Sequence, residues 1–303
     1  MEEAVGDVEK AVVEWAHPGL RWWAAPGDGW PLVRLYDAAL LLGGYVALAA
    51  AVLAYNAHRF ASDRAERERR IGSTEGGGYR LGGAAAPVKA PTSSPQPQGH
   101  ALQASFSAAQ MAFGGNVAWA AYTEAQALGL QPVCNPFDAA GSGTVPGLVH
   151  FFYLGQSCEL LETLLLLIQR QELAVTPAHV GTRVARFLLF WLQVRAGYDG
   201  DACLFVALCA ALRAASHLPH VLAFARPGGL APRWLQLFGS ALQVCAPALV
   251  GGYSAFVLGG GCAASDGEGM PRRLAALWLG FSLVSVALWL TSAAPAPGRL
   301  KQD

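Results

Sequence analysis

From Tyr36 to Tyr55 the chain reads YDAALLLGGYVALAAAVLAY, with Asp37 as its one charged residue. About 20 apolar residues, rising ~1.5 Å each as a helix, cross a hydrocarbon core of ~30 Å. Lipid offers the backbone no hydrogen bonds, so such a run must be helical. Arg59, Arg64, Arg67, Arg69 and Arg70 follow at once, a block of positive charge of the kind that stays on one side of a membrane. This stretch directs the chain toward a helical membrane protein. Composition agrees, because 14% of the 303 residues are charged and 53% are hydrophobic, against about 25% charged in soluble domains. A formal net charge of +0 gives no bulk attraction to nucleic acid, and no nucleic-acid motif is present. The acidic start MEEAVGDVEK lacks the basic region of a cleaved signal peptide, so the first apolar run is expected to act as an uncleaved anchor.

Six further apolar stretches are expected to span, at about 102–122, 148–168, 177–194, 202–224, 235–258 and 274–291. The expected fold is therefore all-α, a polytopic membrane protein with a seven-transmembrane-helix bundle at 31–293. The second span is rich in Ala, Ser and Gly, which suits burial among neighbouring helices. Residues 1–30 form an N-terminal segment in which Val5, Val8, Val12 and Trp15 fall at helical spacing, before Trp22, Trp23 and Trp30. This suits a membrane interface, and an ordinary surface helix is the other reading. Between 59 and 100 the Gly-, Ala-, Pro- and Ser-rich sequence predicts a flexible loop, and 294–303 a short tail. Placing the 59–100 loop in the cytosol puts most basic residues on that side, with the N-terminus opposite and the C-terminus cytosolic.

That topology sets Cys134 and Cys262 in non-cytosolic loops. A disulfide between them is expected where the compartment is oxidising, two free thiols being the alternative. Cys158, Cys203, Cys209 and Cys245 fall within spans as small hydrophobes. No CxxC spacing suggests zinc.

Within the third span Gln156, Glu159, Glu162 and Thr163 recur at spacings of three and four, sharing one helical face. Thr176 and Pro177 suit the N-cap and first position of the next helix, on which His179, Thr182 and Arg183 again share a face. Arg213, His217 and His220 do so on the fifth span. Ionisable stripes on membrane helices mark the place to look for function.

These stretches resemble the ELO family of very-long-chain fatty acid elongases. That family carries Tyr-x-Ser-Lys-x-x-Glu-Leu-x-Asp-Thr, then a basic turn and a His-x-x-His-His box. Here Tyr153-Leu-Gly-Gln156-Ser-Cys-Glu159-Leu-Leu-Glu162-Thr163 stands for the first, Gln-Arg-Gln at 169–171 for the turn, and His179-Val-Gly-Thr182-Arg183 for the box. Ser216-His-Leu-Pro-His220-Val-Leu-Ala-Phe224 is similar to the family's Asn-x-x-x-His-Val-x-Met-Tyr, and Leu242-Gln243-Val244 to its Leu-Gln-Ile. Cys134-Asn-Pro-Phe-Asp138 is similar to a Cys-x-Pro-x-Asp segment.

The resemblance implies condensation of a long-chain acyl-CoA with malonyl-CoA to 3-oxoacyl-CoA, CO2 and CoA, with no further cofactor and no metal. It implies His179, His220, Glu159 and Glu162 as catalytic, and Gln156, Arg183, His217 and Gln243 as substrate-binding. It also implies the endoplasmic reticulum membrane; basic Arg299 and Lys301 near the chain end weakly echo a dilysine retrieval signal. Membrane lipid, other elongation enzymes or a second copy are the implied partners.

The departures suggest an alternative. Gln156 replaces the family's Lys, Glu162 its Asp, and Thr182 and Arg183 its paired histidines. A guanidinium is neither nucleophile nor base at neutral pH. A catalytically silent relative that binds acyl-CoA or the other elongation enzymes is therefore the second expectation. The stripes themselves read either as a substrate site or as a buried ion-pair network, Glu162 with Arg183 for example, and the two can coexist. Histidine-rich membrane oxidases are excluded by count, since the chain has 7 histidines where two irons require about eight in dense boxes.

Overall fold

A helix in lipid pairs its own backbone, but its polar side chains must find partners on neighbouring helices. The computed structural model describes residues 2–17, 30–75, 97–135, 144–168, 177–196, 200–224, 233–262 and 271–293. Among them are eight helices: α1 (Glu2–Ala16), α2 (Leu35–Glu75), α3 (Pro97–Ala127), α4 (Thr144–Ile168), α5 (Pro177–Ala196), α6 (Gly200–Phe224), α7 (Arg233–Leu258) and α8 (Arg272–Ala293). Four contain a stretch long and apolar enough to cross a membrane: Leu35–Tyr55, Asp201–Leu222, Leu237–Leu258 and Arg272–Leu290. The chain is accordingly an all-α, multi-pass membrane protein. Helices α3, α4 and α5 also have the length, and carry inward polar residues such as Gln110, Glu159 and Arg195.

The outer surface bears this out. Leu40 and Leu48 of α2, Leu237 and Leu249 of α7, and Leu283 and Leu290 of α8 are all exposed. Apolar surface on this scale marks contact with lipid.

Helix order is legible from one end of the bundle. There the turn before α2 is held by three hydrogen bonds: His150 Nε2 lies 3.0 Å from Pro31 O, the Tyr153 hydroxyl donates to Leu32 O (2.9 Å), and Trp191 Nε1 donates to Val33 O (2.7 Å). The end of α3 meets the end of α7 through a disulfide between Cys134 and Cys262. Beside it Asp201, at the start of α6, accepts from both the backbone N–H and the side chain of Asn135 (each 2.8 Å) and from the Tyr253 hydroxyl. Helices α2, α4 and α6 thus begin, and α3, α5 and α7 end, on one side. Short connections between antiparallel neighbours favour that alternation.

Helix α1 caps this same side, and with a different face from the one its valines suggest. Glu9, Val13 and Ala16 are buried, whereas Val8 and Trp15 are about half exposed. Polar bonds set the rotation. Glu9 pairs with Arg195 at 2.6 Å and accepts the Leu35 backbone N–H at 2.8 Å, while Arg273 donates to Trp15 O at 2.7 Å. Burying Arg195 unpaired would be costly, so the ion pair outweighs a valine stripe.

Two other expectations are corrected. The predicted 59–100 loop begins later, because α2 continues to Glu75 and α3 starts at Pro97. The run Arg64-Ala-Glu-Arg-Glu-Arg-Arg consists of strong helix formers, which extends the helix past the apolar span. Residues 76–96 lie outside the described residues. Cys203 and Cys209 are buried as expected, but Cys245 is exposed on α7; its face of that helix turns outward, where a thiol is apolar enough for lipid.

Candidate functional site

At the centre of the bundle Glu159 of α4 binds three guanidiniums. Arg183 of α5 contacts its Oε2, Arg186 of α5 reaches the same oxygen at 3.1 Å, and Arg213 Nε of α6 stands 3.2 Å from Oε1. Arg183 forks between two acids, its second nitrogen lying 2.8 Å from Glu162 Oε2. The predicted pairing of Glu162 with Arg183 is present, and the ladder of i, i+3 spacings on α4 and α5 is its cause. Arg213 is completed by Gln110 Oε1 of α3 (2.7 Å) and the Gly155 carbonyl (2.9 Å). With its amide turned to suit both neighbours, Gln156 donates to Glu159 (3.1 Å) and accepts from Arg213 (3.0 Å). Glu159 and Arg213 are each less than a tenth exposed. Charges held so far from water depend on such multiple bonds.

A cavity of about 680 Å³ opens beside this network, within the range of small-molecule sites. Its two halves differ. Helices α4, α5 and α6 supply polar lining, including Gln156, Glu162, His179, Arg183, Arg186 and His217. Helices α7 and α8 supply mainly apolar lining, with Leu242, Val250, Trp278, Phe281 and Leu288. An aromatic floor supports it: Phe190 stacks edge-on against Phe152 and Trp278, each at 5.0 Å between ring centroids. Trp278 is fixed in turn by its Nε1 donating to Gln193 Oε1 at 3.0 Å.

The site residues read from the sequence divide as follows. Gln156, Glu159, Glu162, His179, Arg183 and His217 all line the cavity. His179 Nε2 lies 3.3 Å from the Thr163 hydroxyl, and Thr182 folds back to donate to the His179 carbonyl at 2.9 Å. His220 is exposed and is not among the lining residues; its ring stands 6.5 Å from that of His217. One position matters here, because His217 and His220 are three residues apart on a helix and only His217 turns fully inward. The Gln243 side chain and Thr176 lie outside the described residues.

Two participants were not read from the sequence. Gln110 lies with Asn116 in the middle of α3's small-residue run, and a mid-span glutamine was the available signal. Arg186 follows Arg183 at i+3, on the same face, yet in sequence it passes for an ordinary positive charge at a span end. With it two carboxylates face three guanidiniums. Ser216, whose hydroxyl donates to Arg213 O at 2.8 Å, completes the wall.

Fold and site together define a multi-pass helical membrane protein with an amphipathic cavity, ionic at one end and aromatic and aliphatic at the other. No protein-family model matches the chain, and no curated protein matches it either.

Proposed function

We propose that this protein is a membrane enzyme of the fatty acid elongase type, condensing a long-chain acyl-CoA with malonyl-CoA. The observation that carries the proposal is that one cavity gathers the separate stretches that resemble that family: Glu159 and Glu162, His179 and Arg183, His217, and Leu242 with Val244. The apolar half suits an acyl chain and the polar half a thioester. An imidazole nitrogen of His179 attacks the acyl thioester carbon, the C–S bond breaks, and CoA leaves as the thiolate. Malonyl-CoA then loses CO2, and its carbanion forms the new C–C bond at the acyl carbon as the bond to His179 breaks. The guanidiniums of Arg183 and Arg213 supply positive potential for the enolate that develops.

In this reading α2 to α8 are the seven spans and α1 is an interfacial cap. The end that carries the Cys134–Cys262 bridge faces the lumen of the endoplasmic reticulum, where disulfides persist. The arginines after Tyr55 face the cytosol.

A second reading is supported by one specific feature. Arg183, standing where the family has a histidine, is held by two carboxylates, and a guanidinium so placed cannot exchange protons. On that reading the chain is a silent relative that binds acyl-CoA, lipid or the other elongation enzymes, alone or as a homodimer.

The test is condensation by purified protein in detergent, with labelled malonyl-CoA and acyl-CoAs of several lengths. Release of CO2 and 3-oxoacyl product, lost in His179→Ala, is the expected result. A folded sample with no turnover on any acyl-CoA decides for the silent relative. Turnover that survives His179→Ala removes the histidine from its role.

A further inference from the structure

The charge balance of the cavity wall is incomplete. Among the described lining residues two carboxylates, Glu159 and Glu162, face three guanidiniums, so with the histidines neutral one positive charge is left over. A charge in an apolar environment requires a partner. The three guanidiniums are not equivalent. Arg183 and Arg213 are 15% and 8% exposed and are spent on the two acids, on Gln110 and on Gly155. Arg186 is 31% exposed and among the described residues makes a single bond, to an oxygen that Arg183 already holds.

Position adds to this. The Arg186 guanidinium lies 6.0 Å from the ring centroid of Phe281, on the apolar helix α8. It therefore stands at the junction of the ionic and apolar halves, where the head of an amphiphile with its tail along α7 and α8 would rest. The same wall holds the buried Nδ1 of His217, which has no hydrogen-bond partner among the described residues.

We propose that the cavity binds a single-chain amphiphile with a monoanionic head, the carboxylate of an unesterified long-chain fatty acid, and that Arg186 is the residue that holds the head. The excess of one charge matches a carboxylate. A phosphate monoester, at about −1.5 to −2 near neutral pH, would overshoot it. A guanidinium with free N–H groups offers a carboxylate paired, charge-assisted hydrogen bonds. The proposal does not depend on condensation, since binding of a free acid involves neither malonyl-CoA nor turnover.

The experiment uses the full chain in detergent, with labelled oleic acid and labelled methyl oleate as probes. Oleic acid should bind at least about tenfold more tightly than its uncharged ester, as expected for one charge-assisted contact. Arg186→Gln should weaken oleic acid about tenfold and leave the ester unchanged, while Arg186→Lys keeps most of the preference. The glutamine variant should fold, because Arg183 and Arg213 still neutralise both acids; a melting curve checks this. Glu162→Gln provides a test of opposite sign, since it enlarges the positive excess and should tighten oleic acid. Equal binding of acid and ester, no binding of either, or oleic acid held by Arg186→Gln as by the unaltered chain would overturn the proposal. Oleic acid bound by a protein that shows no condensation would leave it standing and remove only the elongase reading.

Discussion

Glu159 receives Arg183, Arg186 and Arg213 while it is about 5% exposed, so more of the bundle's polar interior depends on this carboxylate than on any other described one. Replacing it by glutamine leaves the guanidiniums crowded in an apolar setting without their counter-charge. The expected loss is about 3–5 kcal/mol, the usual consequence of breaking a buried pair from one side. Among the described residues Glu162 pairs with Arg183 alone, at 2.8 Å, and Glu162→Gln should cost clearly less. Thermal unfolding of the two variants in detergent checks the order; equal melting points would remove the central role given to Glu159. At this scale the sequence was informative about identity and less so about partners. It marked Glu159, Glu162, His179 and Arg183 through their spacing. It took His220 as catalytic and His217 as substrate-binding on one shared face, and passed over Arg186, because the rotation of α6 and the reach of a flexible side chain depend on neighbours that no local pattern contains.

Among the elements, α3 and α6 approach closely through a glycine. A β-carbon at Gly114 would fall 2.9 Å from the Ala210 carbonyl and 3.2 Å from the Ala214 β-carbon, whereas one at Gly115 would meet nothing within 4 Å. Gly114→Val should therefore cost about 1–3 kcal/mol by forcing the helices apart. Gly115→Ala should be neutral or stabilising by up to about 1 kcal/mol through helix propensity. Chemical denaturation of both distinguishes contact from propensity, and equal effects would deny the close approach. Helix α1 carries a pH test. Burial holds the His17 imidazole below its ordinary value near 6.5, against a hydrogen bond with the Ala196 backbone that raises it. The unfolded segment then binds its proton first as pH falls, so the stability of α1 docking is intact above about 6.5 and declines below it. Protection factors across residues 2–17, with the intrinsic base-catalysed rate at each pH divided out, should fall between pH 7.5 and 5.5 by about the population shift of one titration, and not in His17→Gln. Protection factors independent of pH would show that the imidazole does not couple to docking.

For the molecule as a whole, the disulfide closes 128 residues of chain between the ends of α3 and α7. Cross-links of that length typically stabilise by about 2–4 kcal/mol through the unfolded state. Reductant should lower the melting point of the unaltered protein by several degrees and have no further effect on Cys134→Ser. A peptide map without the Cys134–Cys262 link in oxidised membranes would exclude the bridge. What the sequence alone determined was the set of helices: α4 to α8 lie within a few residues of the stretches read from their apolar runs, and α2 begins where its run begins, since length and continuous apolarity are local properties that lipid enforces. The polar stripes on α4 and α5 were equally legible, because helical periodicity converts spacing into a face. Only the tertiary structure decided which face of α1 is buried, which histidine of α6 lines the cavity, and that three guanidiniums rather than two share the acids. Each of these is settled by long-range pairing of a charge that cannot remain alone away from water, and such pairing joins residues whose separation in the chain carries no sign of it.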